Sequence, residues 1–316
     1  MCGNPRIVIV GPGAMGCGVS ALLQERGASV ALLDHRPERA EYLKASGIDV
    51  HQEGQWWKVR LRCSAQPTDL GTPDLVIVLV KAYATASAAE TLRPCVGPNT
   101  SVLTLQNGLG NWETLQRVLE PGSKRDSSIL AGTIVMGAAT EAVGKVRISG
   151  VGPIVLGSPT GDHDRARRVA EELARFWPRV QAVEDVEAAL WRKAIANAAI
   201  NPLTALHEVP NGRLLEEPDL RADLRKLVEE AVAVARASGI EPFEADPIEA
   251  VEGVCRLTAA NHSSMFQDLS QGRRTEIDQI NGEIVRRGAA AGIPTPLSEA
   301  LVAQVKAREG RSQQKP

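Results

Sequence analysis

The first half of the chain alternates short, unbroken runs of Val, Ile and Leu with stretches of helical character. The runs are RIVIVG, ASVALLD, LVIVLVK and SVLTLQ, and none of them alternates apolar with polar positions. Strands covered on both faces read this way, which predicts a parallel sheet flanked by helices. Residues 14–26, the segment PERAEYLKASG and the Ala-rich residues 82–92 supply the helical connections. Over residues 129–156 the texture changes to glycine-punctuated β-rich segments, GTIVMGAAT, GKVRISG and GPIVLGS, expected as antiparallel strands that close the domain edge. After helical residues 164–176 and the short RVQAVED, the remainder reads as helix almost throughout. We expect a doubly wound α/β sheet domain over 1–184, an all-helical domain over 185–309 and a polar, disordered tail, GRSQQKP, over 310–316.

Composition narrows the field. A chain of 316 residues, 43% hydrophobic and 23% charged, is an ordinary globular protein long enough for two domains. A formal net charge of −2 gives no electrostatic reason to expect nucleic acid or an anionic membrane as partner. Apolar runs such as residues 75–80 are far too short to span a bilayer, and MCGNPRIVIVG turns into a glycine motif before a signal-peptide core forms. The cysteines, Cys2, Cys17, Cys63, Cys95 and Cys255, are scattered and without C-x-x-C spacing. That pattern speaks against a disulfide framework or zinc site and for a reducing cytoplasm.

Candidate chemistry begins at residues 11–16, GPGAMG, a G-x-G-x-x-G motif directly after one strand and opening a helix. In a Rossmann-like domain Gly11 permits the tight turn, Gly13 lets the backbone approach a pyrophosphate, and Gly16 lets helix and strand pack closely. Pro12, Ala14 and Met15 complete the turn. Asp34 ends the second strand, roughly twenty residues on, where a ribose-binding acid is expected. The bland alternative is a glycine-rich turn in a domain that binds nothing. A carboxylate at that position favours NADH over NADPH, although His35 and Arg36 follow, and Arg36 is able to pair with a 2′-phosphate. Lys81 and Asn107 end or follow the third and fourth runs, at the carboxyl edge of the sheet where such folds bind ligands. A charge leaving a strand for water and an Asn-Gly turn explain them equally well.

In LWRKAIANAAINPLTAL, residues 190–206, Lys193, Asn197 and Asn201 recur every fourth position of an otherwise apolar helix. Four residues drift only ~40° around a helix, so the three share one stripe. Pro202 predicts that the helix ends or kinks there. A solvated stripe favours Glu, Lys and Arg; one amine and two neutral amides suit a small polar ligand. A second cluster spans residues 261–285, where Ile277, Ile280 and Ile284 give a helical period flanked by Glu276, and Ser263 and Ser264 adjoin Met265 and Phe266. A first-turn acid favoured by the helix dipole is the structural explanation of Glu276. His207 and His262 are assigned no role.

The segments GPGAMG, LVKAY, LQNGLG, LWRKAIANAAINPLTAL, VPNGRL, NHSSMFQD and RRTEIDQINGEIV together resemble the ketopantoate reductase (2-dehydropantoate 2-reductase) family over nearly the whole chain. The resemblance implies NAD(P)H-dependent reduction of ketopantoate to (R)-pantoate in pantothenate biosynthesis, in a cleft between a Rossmann and a helical domain. Lys193 matches the family's general acid and Glu276 the acid that closes the site. Asn197, Asn201 and Asn211 match substrate-holding positions, Ser264 one near the substrate carboxylate, and Lys81, Asn107 and Ala138 cofactor-side positions. NADPH-using members often carry a basic residue where this chain has Asp34, so the coenzyme is NADPH or NADH, with Asp34 leaning to NADH. Neither metal, nucleic acid nor membrane is expected as partner, and a homodimer is an open candidate. A reductase of another branched or aromatic 2-keto acid is the nearest rival. A non-catalytic nucleotide sensor is the rival of another class, and would need GPGAMG without Lys193 and Glu276.

Overall fold

In the computed structural model, which describes residues 4–122 and 127–312, the apolar runs form the centre of one mixed sheet. Cys2 and residues 313–316 of the expected tail lie outside the described residues. The order is β1 (Arg6–Val10), α1 (Ala14–Glu25), β2 (Ser29–Leu33), α2 (Pro37–Ser46), β3 (Ile48–Gln52), β4 (Gln55–Val59), β5 (Arg62–Ser64), β6 (Leu75–Val78), α3 (Thr85–Leu92), β7 (Ser101–Thr104), α4 (Asn111–Leu119), β8 (Ile129–Ala142), β9 (Lys145–Gly157), α5 (His163–Ala174) and β10 (Val180–Ala182). Helices follow: α6 (Val186–His207), α7 (Arg213–Glu216), α8 (Pro218–Ala237), α9 (Pro247–Leu257), α10 (Ser264–Ser270), α11 (Asn281–Ala291) and α12 (Pro296–Ser312). Two units result, Met1–Gln106 with Asn111–Val186, and Asn107–Gly110 with Glu187–Pro316.

In the first unit the strands run β4-β3-β9-β8-β7-β6-β1-β2-β5, with β10 beside β9. Neighbours from β2 through β1, β6 and β7 to β8 are parallel, as the unbroken apolar runs predict. Alternate residues of β1 serve the two faces: Ile7 and Ile9 join one core with Val19, Leu23 and Leu32, while Val8 and Val10 join another with Val76, Leu92 and Leu115. The glycine-rich region departs from expectation. GKVRISG and GPIVLGS form the single strand β9, paired antiparallel with β8, and β9 continues to β3 and β4. The β8–β9 hairpin therefore lies inside the sheet, and β4 is the edge. Strands β3 to β5 have no counterpart in the sequence reading. Their turn uses Glu53 at φ +52° and Gly54 at φ +79°, a two-residue connection with both residues left-handed. Glu-Gly lacks the Asn or Asp that usually marks such a turn.

In the second unit α6 passes through Pro202 and continues to His207, so the helix does not end at the proline. Proline has no N–H for the carbonyl four residues back. That carbonyl, Ala198 O, instead accepts from Asn281 Nδ2 at 3.0 Å, and Asn281 is fully buried. Trp191, Ile195 and Ala199 of α6 share a core with Leu224, Leu227 and Val228 of α8 and Ile284 of α11. Glu252 of α9, buried, accepts from Arg221 Nε at 2.9 Å and Nη2 at 2.6 Å, and from Arg225 Nε at 3.0 Å. The Arg221 hydrogen bonds, despite burial, hold its carboxyl down at about 2. Glu230 of α8 caps the start of α12, accepting from Leu297 N, Ser298 N and Ser298 Oγ. Helix α12 runs to Ser312, through the first residues assigned to the tail. Among the described residues no helix is long and apolar enough to cross a membrane.

Candidate active site

The glycine turn is built as its sequence requires. Gly11 adopts φ +98°, donates to Leu33 O at 3.0 Å, and would place a Cβ 2.7 Å from Val80 Cγ1. A Cβ on Gly16 would fall on the carbonyl oxygen of Gly11, so the tight seat of α1 on β1 excludes a side chain there. Around Gly13, exposed, there is open space. The α1 N-terminus carries no side-chain cap and no acid in its first turn, which leaves its N–H groups and positive dipole end available to a phosphate. These features fit a dinucleotide pyrophosphate. Pro12 is buried, while Ala14 and Met15 are half-buried.

Asp34 follows β2, as predicted, but its carboxylate is engaged. Arg39 Nη2 donates to Asp34 Oδ1 at 2.7 Å, Arg39 Nε donates to Oδ2, and Arg36 N donates to Oδ1 at 3.1 Å. Arg39 is absent from the sequence reading; hydrogen bonding to Asp34 raises its guanidinium pKa further above the usual range. Strand β6 stops at Val78, so half-buried Lys81 sits three residues beyond it, and Gln106 Nε2 fixes the adjacent turn by donating to Val80 O at 2.9 Å. Ala138 lies on β8 opposite Ile148. Asn107 belongs to the second unit: its loop is tied there by Leu109 N donating to Gln279 O at 3.0 Å, and Gly108 leaves no room for a Cβ against that carbonyl.

Within the second unit the structure brings Lys193 and Glu276 into electrostatic reach. Burial pushes the Lys193 ammonium down to about 8, and the Glu276 charge pulls it back up. Glu276 is buried but is not a first-turn helix acid. It lies in the turn before α11, whose N-terminal acid is Glu283. Two contacts from α12 hold that turn: Glu309 Oε1 accepts from Thr275 N at 2.7 Å and Thr275 Oγ1 at 2.6 Å, and Lys306 pairs with Asp278 at 2.6 Å. No local pattern announces Glu309, because its partner is 34 residues away.

The amides are placed unequally. Asn201 is buried and Asn197 half-buried on α6. The Asn201 carbonyl accepts from Thr204 Oγ1 at 3.0 Å and from Ser263 Oγ at 3.4 Å, and Thr204 and Ser263 hydroxyls meet at 2.8 Å. Ser263 also caps α10, accepting from Phe266 N, whereas Ser264 beside it is exposed. Asn211 is buried; its Nδ2 donates to Thr258 Oγ1 at 2.9 Å and its Oδ1 is buried with no hydrogen-bond partner among the described residues. His207 and His262 are exposed, the latter stacked on Phe266. Cys17, Cys63, Cys95 and Cys255 are free and buried; burial pushes Cys17 and Cys63 up to about 12 and Cys255 to about 11, so they stay protonated. Among the described residues no group of three or more His, Cys, Asp or Glu is placed to hold a metal ion.

Residues 7–161 match the family model for ketopantoate reductase PanE/ApbA, and residues 185–309 match its C-terminal model. The 2-dehydropantoate 2-reductase of Halobacterium salinarum is 36% identical over 299 residues, 94% of this chain and 96% of that one. The enzyme of the same name from Archaeoglobus fulgidus is 35% identical over 309 residues, 96% and 98% of the two chains. A crystal structure of a PanE/ApbA family ketopantoate reductase from Ralstonia eutropha aligns with TM-score 0.87 and 33% identity, covering 98% of this chain and 100% of the other. D-mandelate dehydrogenase, solved with NADH and anilino(oxo)acetate, aligns with TM-score 0.89 and 26% identity over 98% and 100%. The family model and the relatives of the same name along nearly the full length make the chain an NAD(P)H-dependent oxidoreductase. The chain belongs to the ketopantoate reductase family.

Proposed function

We propose that this chain reduces 2-dehydropantoate (ketopantoate) to (R)-pantoate, a step of pantothenate biosynthesis, with Lys193 as the proton donor. The arrangement that carries the reading is Lys193, half-buried on α6 within electrostatic reach of buried Glu276; burial lowers its amine to about 8 and the Glu276 charge raises it in part. An amine so poised is still protonated at neutral pH and gives its proton up more readily than an exposed lysine. As the C2 carbonyl is reduced, charge builds on its oxygen; the Lys193 ammonium stabilises that charge and delivers the proton to the oxygen. The ammonium also attracts the substrate's carboxylate, and Glu276 keeps the amine charged until the proton is needed.

Asn197, Asn201, Asn211 and Ser264 are assigned to hold the substrate. The buried, unpartnered Asn211 Oδ1 supports this, because an acceptor of that kind is costly until a donor such as the substrate's hydroxyl reaches it. Gly11, Pro12, Gly13, Ala14, Met15 and Gly16 would hold the coenzyme pyrophosphate, with Asp34, Lys81, Asn107 and Ala138 contributing to the rest of the coenzyme site; NADPH or NADH, when bound, supplies the hydride. The free, buried thiols support work in a reducing cytoplasm. Assembly as a homodimer is assigned to be read by light scattering, with a dimer mass supporting it and a monomer mass removing it.

The test is a comparison of kcat/KM for ketopantoate, 2-ketoisovalerate and phenylglyoxylate with either coenzyme. Ketopantoate is expected to lead by roughly tenfold or more, the scale on which a few apolar groups in a pocket discriminate. A lead for phenylglyoxylate or 2-ketoisovalerate would transfer the reading to another 2-keto acid. No coenzyme oxidation with any of the three would remove it.

A further inference from the structure

We propose that Arg39 sets the coenzyme preference, by masking the Asp34 carboxylate from the ribose hydroxyls and presenting its guanidinium to the 2′-phosphate of NADPH. The inference rests on the coenzyme-binding reading above and reverses the lean to NADH that Asp34 suggests. That lean needs an open carboxylate, which accepts from the two ribose hydroxyls and repels a phosphate. Here the Asp34 side chain is 0% exposed. Both oxygens are taken by the Arg39 fork, Oδ1 also accepts from Arg36 N, and His35 Nδ1 lies 3.5 Å from Oδ1. A ribose diol would have to displace a bidentate ion pair with uncharged hydroxyls, leaving the buried Asp34 charge without its opposite charge.

A phosphate faces no such exchange. The guanidinium has five N–H groups and Asp34 engages two of them. Arg39 keeps 26% of its side chain exposed, so a ligand at the strand end reaches it without breaking the pair. The repulsion expected from Asp34 is cancelled at close range by the same guanidinium. Of the other charges on this corner, Arg36 and Glu38 are exposed and opposite in sign, and Glu41 pairs with Lys44 at 3.4 Å. The corner is therefore neutral in sum, with two guanidiniums able to receive phosphate oxygens and no carboxylate open to the ribose. The partners lie five positions apart, around the corner from β2 into α2, so only the folded chain reveals the pair.

The test is titration calorimetry of the full chain with NADPH and with NADH at one ionic strength. NADPH is expected to bind tighter by roughly tenfold or more, the scale of a charge-assisted hydrogen bond. Equal affinities, or tighter NADH, would overturn the proposal. In Arg39→Ala the affinity ratio should fall about tenfold or more, through weaker NADPH binding, and an unchanged ratio would overturn it too. Because that variant strands a buried carboxylate and can fail to fold, the double variant Asp34→Asn with Arg39→Gln, which keeps a neutral pair, is titrated beside it. Its ratio must fall likewise, and a wild-type ratio there counts against Arg39. Turnover of ketopantoate is read separately: its absence with both coenzymes would remove the reductase reading, while the affinity ratio still decides the role of Arg39.

Discussion

Lys193 works as a donor only while it carries its proton, so its environment sets the working pH. Burial lowers its pKa to about 8, and Glu276 opposes that shift. The protonated form dominates below about 8, so the rate of ketopantoate reduction should hold below that pH and fall as pH rises through it. In Glu276→Gln the raising charge is gone, so the alkaline limb should move to lower pH and turnover near neutrality should drop. A pH–rate profile with its limb unmoved would separate Glu276 from Lys193. Both residues were visible in the sequence, because an amine and an acid interrupt apolar, periodic segments and burying a charge needs a reason. Arg39 was not, and Ser263 stood out only as a neighbour of Ser264, without its hydrogen-bond partner. Each acts through a partner that no helical or strand period connects to it: Asp34 around a corner, and the Asn201 carbonyl 62 residues away.

At the scale of elements, a proline should have ended α6, and a side chain from another helix lets it continue. Asn281 replaces the missing N–H at the Ala198 carbonyl, and the turn carrying Asn197 and Asn201 stays helical. The two residues should therefore be coupled. Asn281→Ala is expected to destabilise the protein by ~1–3 kcal/mol, since it strands a buried acceptor. In a Pro202→Ala background the new N–H serves the same carbonyl, so the cost should shrink by ~1 kcal/mol. Urea denaturation of the four proteins in this cycle measures it; additivity within ~0.3 kcal/mol would deny the coupling. The parallel strands β1, β2, β6 and β7 were legible because continuous burial leaves continuous apolar runs. Strands β3 to β5 were not, since IDVHQ and QWWKV are only partly buried and an unmarked Glu-Gly turn joins them.

At the scale of the whole molecule, the first unit holds cores on both faces of its sheet and the second a helical core around α6. In the second, α8 and α9 are joined through Glu252, whose pKa is lowered from 4.5 to about 2 by its arginine partners. A carboxyl depressed on folding stabilises fully above its ordinary pKa, and that contribution disappears as pH falls from 4.5 towards 2. Glu252→Gln should accordingly lower Tm at neutral pH and flatten the fall of Tm over that acid range; parallel Tm curves would show that the pair contributes nothing. The change of texture near residue 185 follows from a switch from sheet to helical packing, whereas no local pattern sets Asn107–Gly110 apart with the second unit.

The central claim is that the Lys193 ammonium delivers the proton to the reduced carbonyl. The steady-state rate of coenzyme oxidation by Lys193→Ala with saturating ketopantoate, beside the wild type, tests it most directly. The variant's kcat should be lower by ~10²-fold or more, as for loss of a general acid, with coenzyme affinity nearly unchanged. A variant that turns over at the wild-type rate would contradict it.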